Sequence, residues 1–243
     1  MLFPMVYGSK PAIIAPETGV YRLLLELNMN FSEKLRLDYS KELFSEQDLK
    51  ILYPNMSQSS LHSGISRSLR SKDIIKLKRG HYMFAGGLQQ KRISKFVIAS
   101  HLYNPSYISF ESALSYHGLI PEAVYVTTSA CKQRKYKKFN SVVGDFSYDF
   151  IPCVPFFIGV EAVTINEYHC MLANPIKALF DLIYKQRKHY NSLTQIESNL
   201  RIEKDLLLDA AADFTEKEIQ LLAESYKKNT VKNLSHLLIK ERS

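Results

Sequence analysis

The stretch from Ser45 to Phe84 constrains this chain more than any other, because helix starts, a proline and a basic ribbon follow one another in an order few folds can use. Ser45 can cap the free amides of a helix in which Asp48 stands three residues on, with Leu49, Leu52 and Tyr53 as its buried stripe. Pro54 ends that helix, since its ring excludes the helical conformation at Tyr53. Ser57 then caps a second helix running to about Ser71, with Leu61, Ile65 and Leu69 as a narrow apolar stripe, so the connection is a tight turn. Ile74 to Phe84 reads IIKLKRGHYMF, apolar and basic residues alternating around Gly80, which predicts a β-hairpin. Upstream, Val20, Leu23, Leu24 and Leu27 predict an amphipathic helix over Thr18 to Asn28.

Helix, tight turn, helix and basic ribbon is the order of a winged helix-turn-helix, in which the last helix enters the major groove of a duplex and the ribbon touches its backbone. On a helical wheel Ser59, Ser60, Ser63, Arg67 and Arg70 cluster opposite the apolar stripe. Short hydroxyls let the helix approach closely, and arginine pairs with guanine or phosphate. Ser57, Gln58, Ser59 and Ser60 open the helix, where unpaired amides favour a phosphate. The expected wing contacts are Lys76, Lys78, Arg79 and His81, with alternation against Ile75 and Leu77 turning the charge outward. A second basic run, KQRKYKK, offers Lys132, Arg134, Lys135, Lys137 and Lys138 as further phosphate contacts, or as a solvated loop.

Gly86 and Gly87 mark a boundary, giving a first unit over 1–88 and a second over 89–243. In the second, a helix is expected over Gln89 to Tyr103 and a short one over Ser109 to His117, stopped at Gly118. Strands are expected at Val124 to Thr128, Phe146 to Ile151, Phe156 to Val160 and Tyr168 to Ala173. Asn174 and Pro175 start a helix with Ile176, Leu179, Phe180 and Ile183 on its apolar face, and helices alone follow from Leu193. The fold class is therefore α+β: an N-terminal winged helix-turn-helix, then a mixed α/β domain with a helical C-terminal tail.

Charge agrees with an anionic partner: 32 Lys and Arg stand against 24 Asp and Glu, a formal +8. It is also polarised, since eight acids lie between Glu197 and Glu224 against three basic residues. Three cysteines without C-x-x-C spacing argue against disulfides and zinc and for a reducing compartment. No stretch is long and apolar enough to span a bilayer, and the N-terminus lacks the basic region of a signal peptide, so a cytoplasmic protein is expected.

Enzyme chemistry finds no foothold. The sequence holds no D-x-D or E-x-K, no phosphate loop, dinucleotide fingerprint, nucleophile elbow or zincin motif. Glu111, Ser112, Ser115 and His117 stand close together but point different ways from one short helix, which reads as packing. Asp145, Asp149 and Asp181 read as solvated, and His169 and Cys170 fall on opposite faces of a strand. No catalytic residue, cofactor or metal is expected.

The segments FSEQDLKILYP, RSLRSKDIIKLKRGHYMF, YISFESALSYHGLIPE, VYVTTS and ANPIKALFDLIY resemble the AbiEi-type antitoxins, transcriptional regulators of abortive-infection toxin–antitoxin systems. The resemblance spans Leu43 to Tyr184 and is carried by S-x-x-x-A-L-x-x-H-G-L at Ser109 to Leu119 together with K-x-x-R-G-x-Y ending the ribbon. It implies a winged helix that binds operator repeats in the chain's own promoter, with Ser57 to Arg70 as recognition helix and Ile74 to Phe84 as wing. It also implies a second domain that counters a nucleotidyltransferase toxin encoded beside it. Binding to inverted repeats implies a monomer or weak dimer that pairs on double-stranded DNA. An RNA-binding or RNA-processing factor using the same basic surface is the alternative.

Overall fold

Asn30 caps the first helix of the structure, a computed structural model that describes residues 29–121 and 124–242. The helix expected over Thr18 to Asn28 lies outside those residues. Asn30 Oδ1 accepts the Glu33 amide at 3.0 Å while the Glu33 carboxylate accepts the Asn30 amide at 2.8 Å, a reciprocal cap that starts α1 (Phe31–Asp38). The chain continues through β1 (Leu43–Ser45), α2 (Glu46–Leu52), α3 (Gln58–Arg70), β2 (Ile74–Lys78) and β3 (His81–Phe84). Ser45 and Ser57 cap α2 and α3 as expected, and Tyr53 before Pro54 closes α2. α1 and β1 were not anticipated: both are too short to show a period, and β1 exists only by pairing with β3.

The three strands run β1-β3-β2, and their two faces serve different cores. Phe44, Tyr82, Phe84 and Ile74 pack with Leu35, Leu49, Leu61 and Ile65 from the three helices. The alternate residues Leu43, Met83 and Leu77 join the larger core of the second part. Gly64 fixes how closely α1 crosses α3: a Cβ there would lie 2.7 Å from Phe31 Cγ. Glu42, fully buried, lies 3.3 Å from the Arg36 guanidinium and accepts the amides of Gln90 and Lys91, which fastens the connection between the two parts.

A short 3-10 turn, Gly86–Leu88, leads to α4 (Lys95–Leu102), which is capped by Ser94 and begins at Lys95, six residues later than the expected start at Gln89. Then follow β4 (Ser106–Ile108), α5 (Phe110–Tyr116), β5 (Val126–Cys131), β6 (Lys137–Ser141), β7 (Gly144–Phe150), β8 (Val160–Ile165), β9 (Tyr168–Ala173) and α6 (Pro175–Gln186). The six strands form one mixed sheet, β6-β7-β5-β4-β9-β8, parallel at β5/β7 and β4/β9. Neighbouring residues of β7 show its two faces: Tyr148 donates to Ala99 O in α4, while Asp149 pairs with Lys185 of α6 on the other side. The apolar run Phe156 to Val160 is a turn rather than a strand, and the strand begins at Val160, where pairing with β9 starts. Four helices close the chain: α7 (Leu193–Leu200), α8 (Lys204–Ala212), α9 (Glu216–Glu224) and α10 (Asn229–Arg242). They are part of the core rather than a tail, since Leu207, Ile219, Leu222, Tyr226, Val231 and Leu238 are buried in it. The acidic residues of this region lie on the helices' outer sides. The class is α+β, and no helix among the described residues is long and apolar enough to cross a membrane.

Candidate nucleic-acid interface

The outward side of α3 carries hydroxyls and guanidinium groups in the open. Ser57, Gln58, Ser59, Ser60, Ser63, Arg67 and Arg70 are all exposed, as are His62 and Ser66 between them. Leu61, Gly64, Ile65 and Ser68 are buried on the opposite side. Ser57 Oγ accepts the Ser60 amide at 3.2 Å, and Ser59 and Ser60 hydroxyls gather round it at 2.9 Å. No acidic residue lies on α3, so nothing on the helix itself repels a phosphate. Two carboxylates stand beside it: Asp73 accepts the Ser71 hydroxyl at 2.6 Å just past the helix end, and Glu46 places Oε2 3.6 Å from His62 Nε2 while its Oε1 accepts the Tyr82 hydroxyl at 3.0 Å. That bridge sets the hairpin turn at Gly80 close to the helix face, and Gly80 takes a φ of 74° there.

The hairpin divides its basic residues. Lys76 and Arg79 are exposed. Lys78 and His81 are not outward contacts: His81 shares the face of Met83, two residues along β3, and the strand pairing skips Leu77, which turns Lys78 to that face as well. Lys78 Nζ donates to Leu102 O at the end of α4 and sits 5.0 Å above the Phe139 ring. Burial, and then the Lys137 charge, hold its ammonium below the ordinary lysine range. The His81 ring meets His101 edge-on at 5.1 Å, and burial pushes its pKa down to about 4, so it is neutral near pH 7. Alternation back from Met83 places His81, but it could not place Lys78, since a one-residue bulge inverts the side chain beyond it.

The KQRKYKK run is half loop and half strand. Lys132, Arg134, Lys135 and Tyr136 are exposed, whereas Lys137 and Lys138 open β6, with Lys138 Nζ 3.7 Å from Asp145. Because β2 packs on β6, the run lies beside the hairpin although more than fifty residues separate them.

Several polar residues of the second part are held in packing contacts. Asp181, expected in solvent, is fully buried: Oδ1 accepts Lys177 Nζ at 2.9 Å and the Tyr226 hydroxyl at 2.6 Å, and Oδ2 accepts Ser109 Oγ at 2.6 Å and the Tyr107 hydroxyl at 3.0 Å. Its helix α6 is covered on both sides, by the sheet and by α8 to α10, whereas the sequence shows only one apolar face. Burial first, then the Asp181 charge, holds the Tyr107 and Tyr226 hydroxyls protonated. Ser112 Oγ accepts the Thr128 amide at 2.8 Å and His117 Nε2 lies 2.8 Å from Ala173 O, so these two are packing residues. Asp149 is likewise engaged, 2.8 Å from Lys185 Nζ. His169 is exposed and Cys170 buried, on opposite faces of β9. Among the described residues no group of three or more His, Cys, Asp or Glu side chains could hold a metal ion.

No family model matches the chain, and no curated protein matches it. Among solved structures it is similar to the crystal structure of the RV2827C protein from Mycobacterium tuberculosis, with a TM-score of 0.48 and 11% sequence identity over 87% of this chain and 80% of that chain.

Proposed function

We propose that this chain is a sequence-specific duplex-DNA-binding repressor whose first unit, up to about residue 88, works as a winged helix-turn-helix. The carrying observation is the outer side of α3, where three serines at helical spacing, Ser59, Ser63 and Ser66, stand exposed beside Arg67 and Arg70 with no carboxylate on the helix. Hydroxyls allow the backbone to come close to base edges, and the two guanidinium groups can take guanine or phosphate. The order α1-β1-α2-α3-β2-β3 supports the same reading, since a hairpin following the helix offers Lys76 and Arg79 to the neighbouring backbone. The partner is the chain's own promoter, bound as inverted repeats by two copies. The resemblance to AbiEi-type antitoxins adds a second role, countering a nucleotidyltransferase toxin encoded next to it in the same cytoplasm. Binding, rather than catalysis, is the activity.

The test is affinity for the DNA upstream of the chain's own reading frame, measured against salt. Arg67→Ala with Arg70→Ala should flatten the log–log slope by about 2 units and remove the preference for that DNA over an unrelated duplex. Equal affinity for both duplexes in the unaltered protein would overturn the proposal. Coexpression with the neighbouring reading frame tests the second role: restored growth supports it, and undiminished toxicity refutes it.

A further inference from the structure

The sequence contains KQRK twice, at Lys132–Lys135 and at Lys185–Lys188, and the fold brings the two copies to one end of the six-stranded sheet. The carboxyl end of β7 is their meeting point. Arg134 lies 5.6 Å over the Phe150 ring, and the residue before it, Asp149, holds Lys185 Nζ at 2.8 Å. Phe150 pairs in register with Cys131, the residue that precedes the first copy, while the second copy ends α6. The wing reaches the same end: Lys137 pairs with Tyr148 in register, and Lys78 rests on Phe139 two residues further along β6. Lys132, Arg134, Lys135, Arg187 and Lys188 are exposed, and the ion pairs formed among the described residues include none of them. The nearby carboxylate, Asp149, is already neutralised by Lys185. What remains is a band of uncompensated positive charge that starts at the wing and passes round the sheet end to the last turn of α6.

We propose that this band is a second duplex-contact surface, holding DNA phosphates that flank the segment read by α3. The proposal rests on the DNA-binding reading above, and it assigns a role to the second unit within the same complex. Duplex DNA is the ligand the placement favours, because the band is continuous with the wing, and a duplex that engages the wing carries a phosphate charge about every 1.7 Å of its axis onward past it. Single-stranded binding would instead call for a groove lined by aromatic rings for base stacking, and the exposed part of the band offers Tyr136 alone.

The experiment uses the full chain and compares two variants on the upstream duplex and on the same duplex trimmed at its flanks. One is Lys132→Ala, Lys135→Ala, Arg187→Ala and Lys188→Ala together; the other is Arg67→Ala with Arg70→Ala. The fourfold variant should flatten the salt slope by about 2 to 3 units and shorten the protected footprint on one flank, yet keep the preference for the upstream sequence. It should also bind the trimmed duplex as the unaltered chain does. An unchanged slope and footprint would overturn the second surface while leaving the α3 reading intact, provided the other variant still loses its preference. If the Arg67/Arg70 variant also binds unchanged, both fall. Loss of binding to a structured RNA hairpin without any change on DNA would overturn the proposal in favour of RNA. All four substituted side chains are exposed, so an unchanged circular dichroism melt is the expected control.

Discussion

Lys177 Nζ and Asp181 Oδ1 stand 2.9 Å apart with both side chains fully buried, one turn apart on α6. Every polar atom of the pair is used. The ammonium also donates to the Tyr226 hydroxyl at 2.8 Å and to Cys153 Sγ at 3.0 Å, while the carboxylate takes Ser109 and Tyr107 on its far side. The pair therefore joins β4, the start of α5, α6 and the segment after α9, through single hydrogen bonds that span up to 74 residues.

Removing one member leaves the other charged and unpaired in the core. Asp181→Ala should cost about 3 to 5 kcal/mol, seen as a lowered denaturant midpoint. Lys177→Met with Asp181→Leu should recover most of that loss. A single-variant cost below about 1 kcal/mol would show that the pair is not closed to water.

Gly64 should resist substitution even though alanine is the better helix former. The ring of Phe31 occupies the space of a Cβ, and the strain of about 1 to 3 kcal/mol outweighs the propensity gain of about 1 kcal/mol. Gly64→Ala should lower the melting temperature, and Phe31→Leu in that background should restore part of it.

His81 gives the first unit an acid-labile seam. Its folded pKa of about 4 lies below the ordinary 6.5, so the unfolded chain binds more protons between those values. Stability is complete above about pH 6.5 and declines as pH falls toward 4. His101, lowered by burial in the same way, adds to the slope. His81→Gln should flatten the decline in a urea titration over that interval, and an identical slope would remove His81 as its source.

Lys78 and Arg79 should separate, although they are neighbours. Arg79→Ala should flatten the salt slope of DNA binding by about 1 unit, because Arg79 is exposed at the turn. Lys78→Met should leave the slope alone and loosen the packing of the hairpin on β6, read as faster amide exchange in β2. The reverse pattern would put Lys78 on the DNA.

Two segments of the second unit, Ser109 to Leu119 and Asn174 to Asp181, are core builders. In Ser109 to Leu119, Ser109 bonds Asp181, Ala113 and Leu114 are buried, His117 meets Ala173 O, and Gly118 closes the helix at a φ of 74°. In the later segment, Asn174 caps α6 and Lys177 and Asp181 form the buried pair. Such residues specify how the second unit folds.

Local chemistry was enough to read α2, α3, the hairpin, β9 and α6 from the chain, because caps, prolines and apolar spacing act within a few residues. The exposed side of α3 followed from the same arithmetic, since a helix with one apolar stripe has only one way to turn its serines and arginines. What lay beyond the sequence were properties that depend on a second surface. The bulge at Leu77 turned Lys78 off the hairpin's outer face because the inner face had α4 and β6 to pack against. Asp181 left solvent because three helices from later in the chain, α8 to α10, covered the side of α6 that looked polar. The two KQRK runs became neighbours only through the pairing of β5 with β7 and the length of α6, a proximity no spacing along the chain encodes. Periodicity fixes which way a side chain points from its own element; burial and charge balance depend on what else arrives there, and that is decided by tertiary packing.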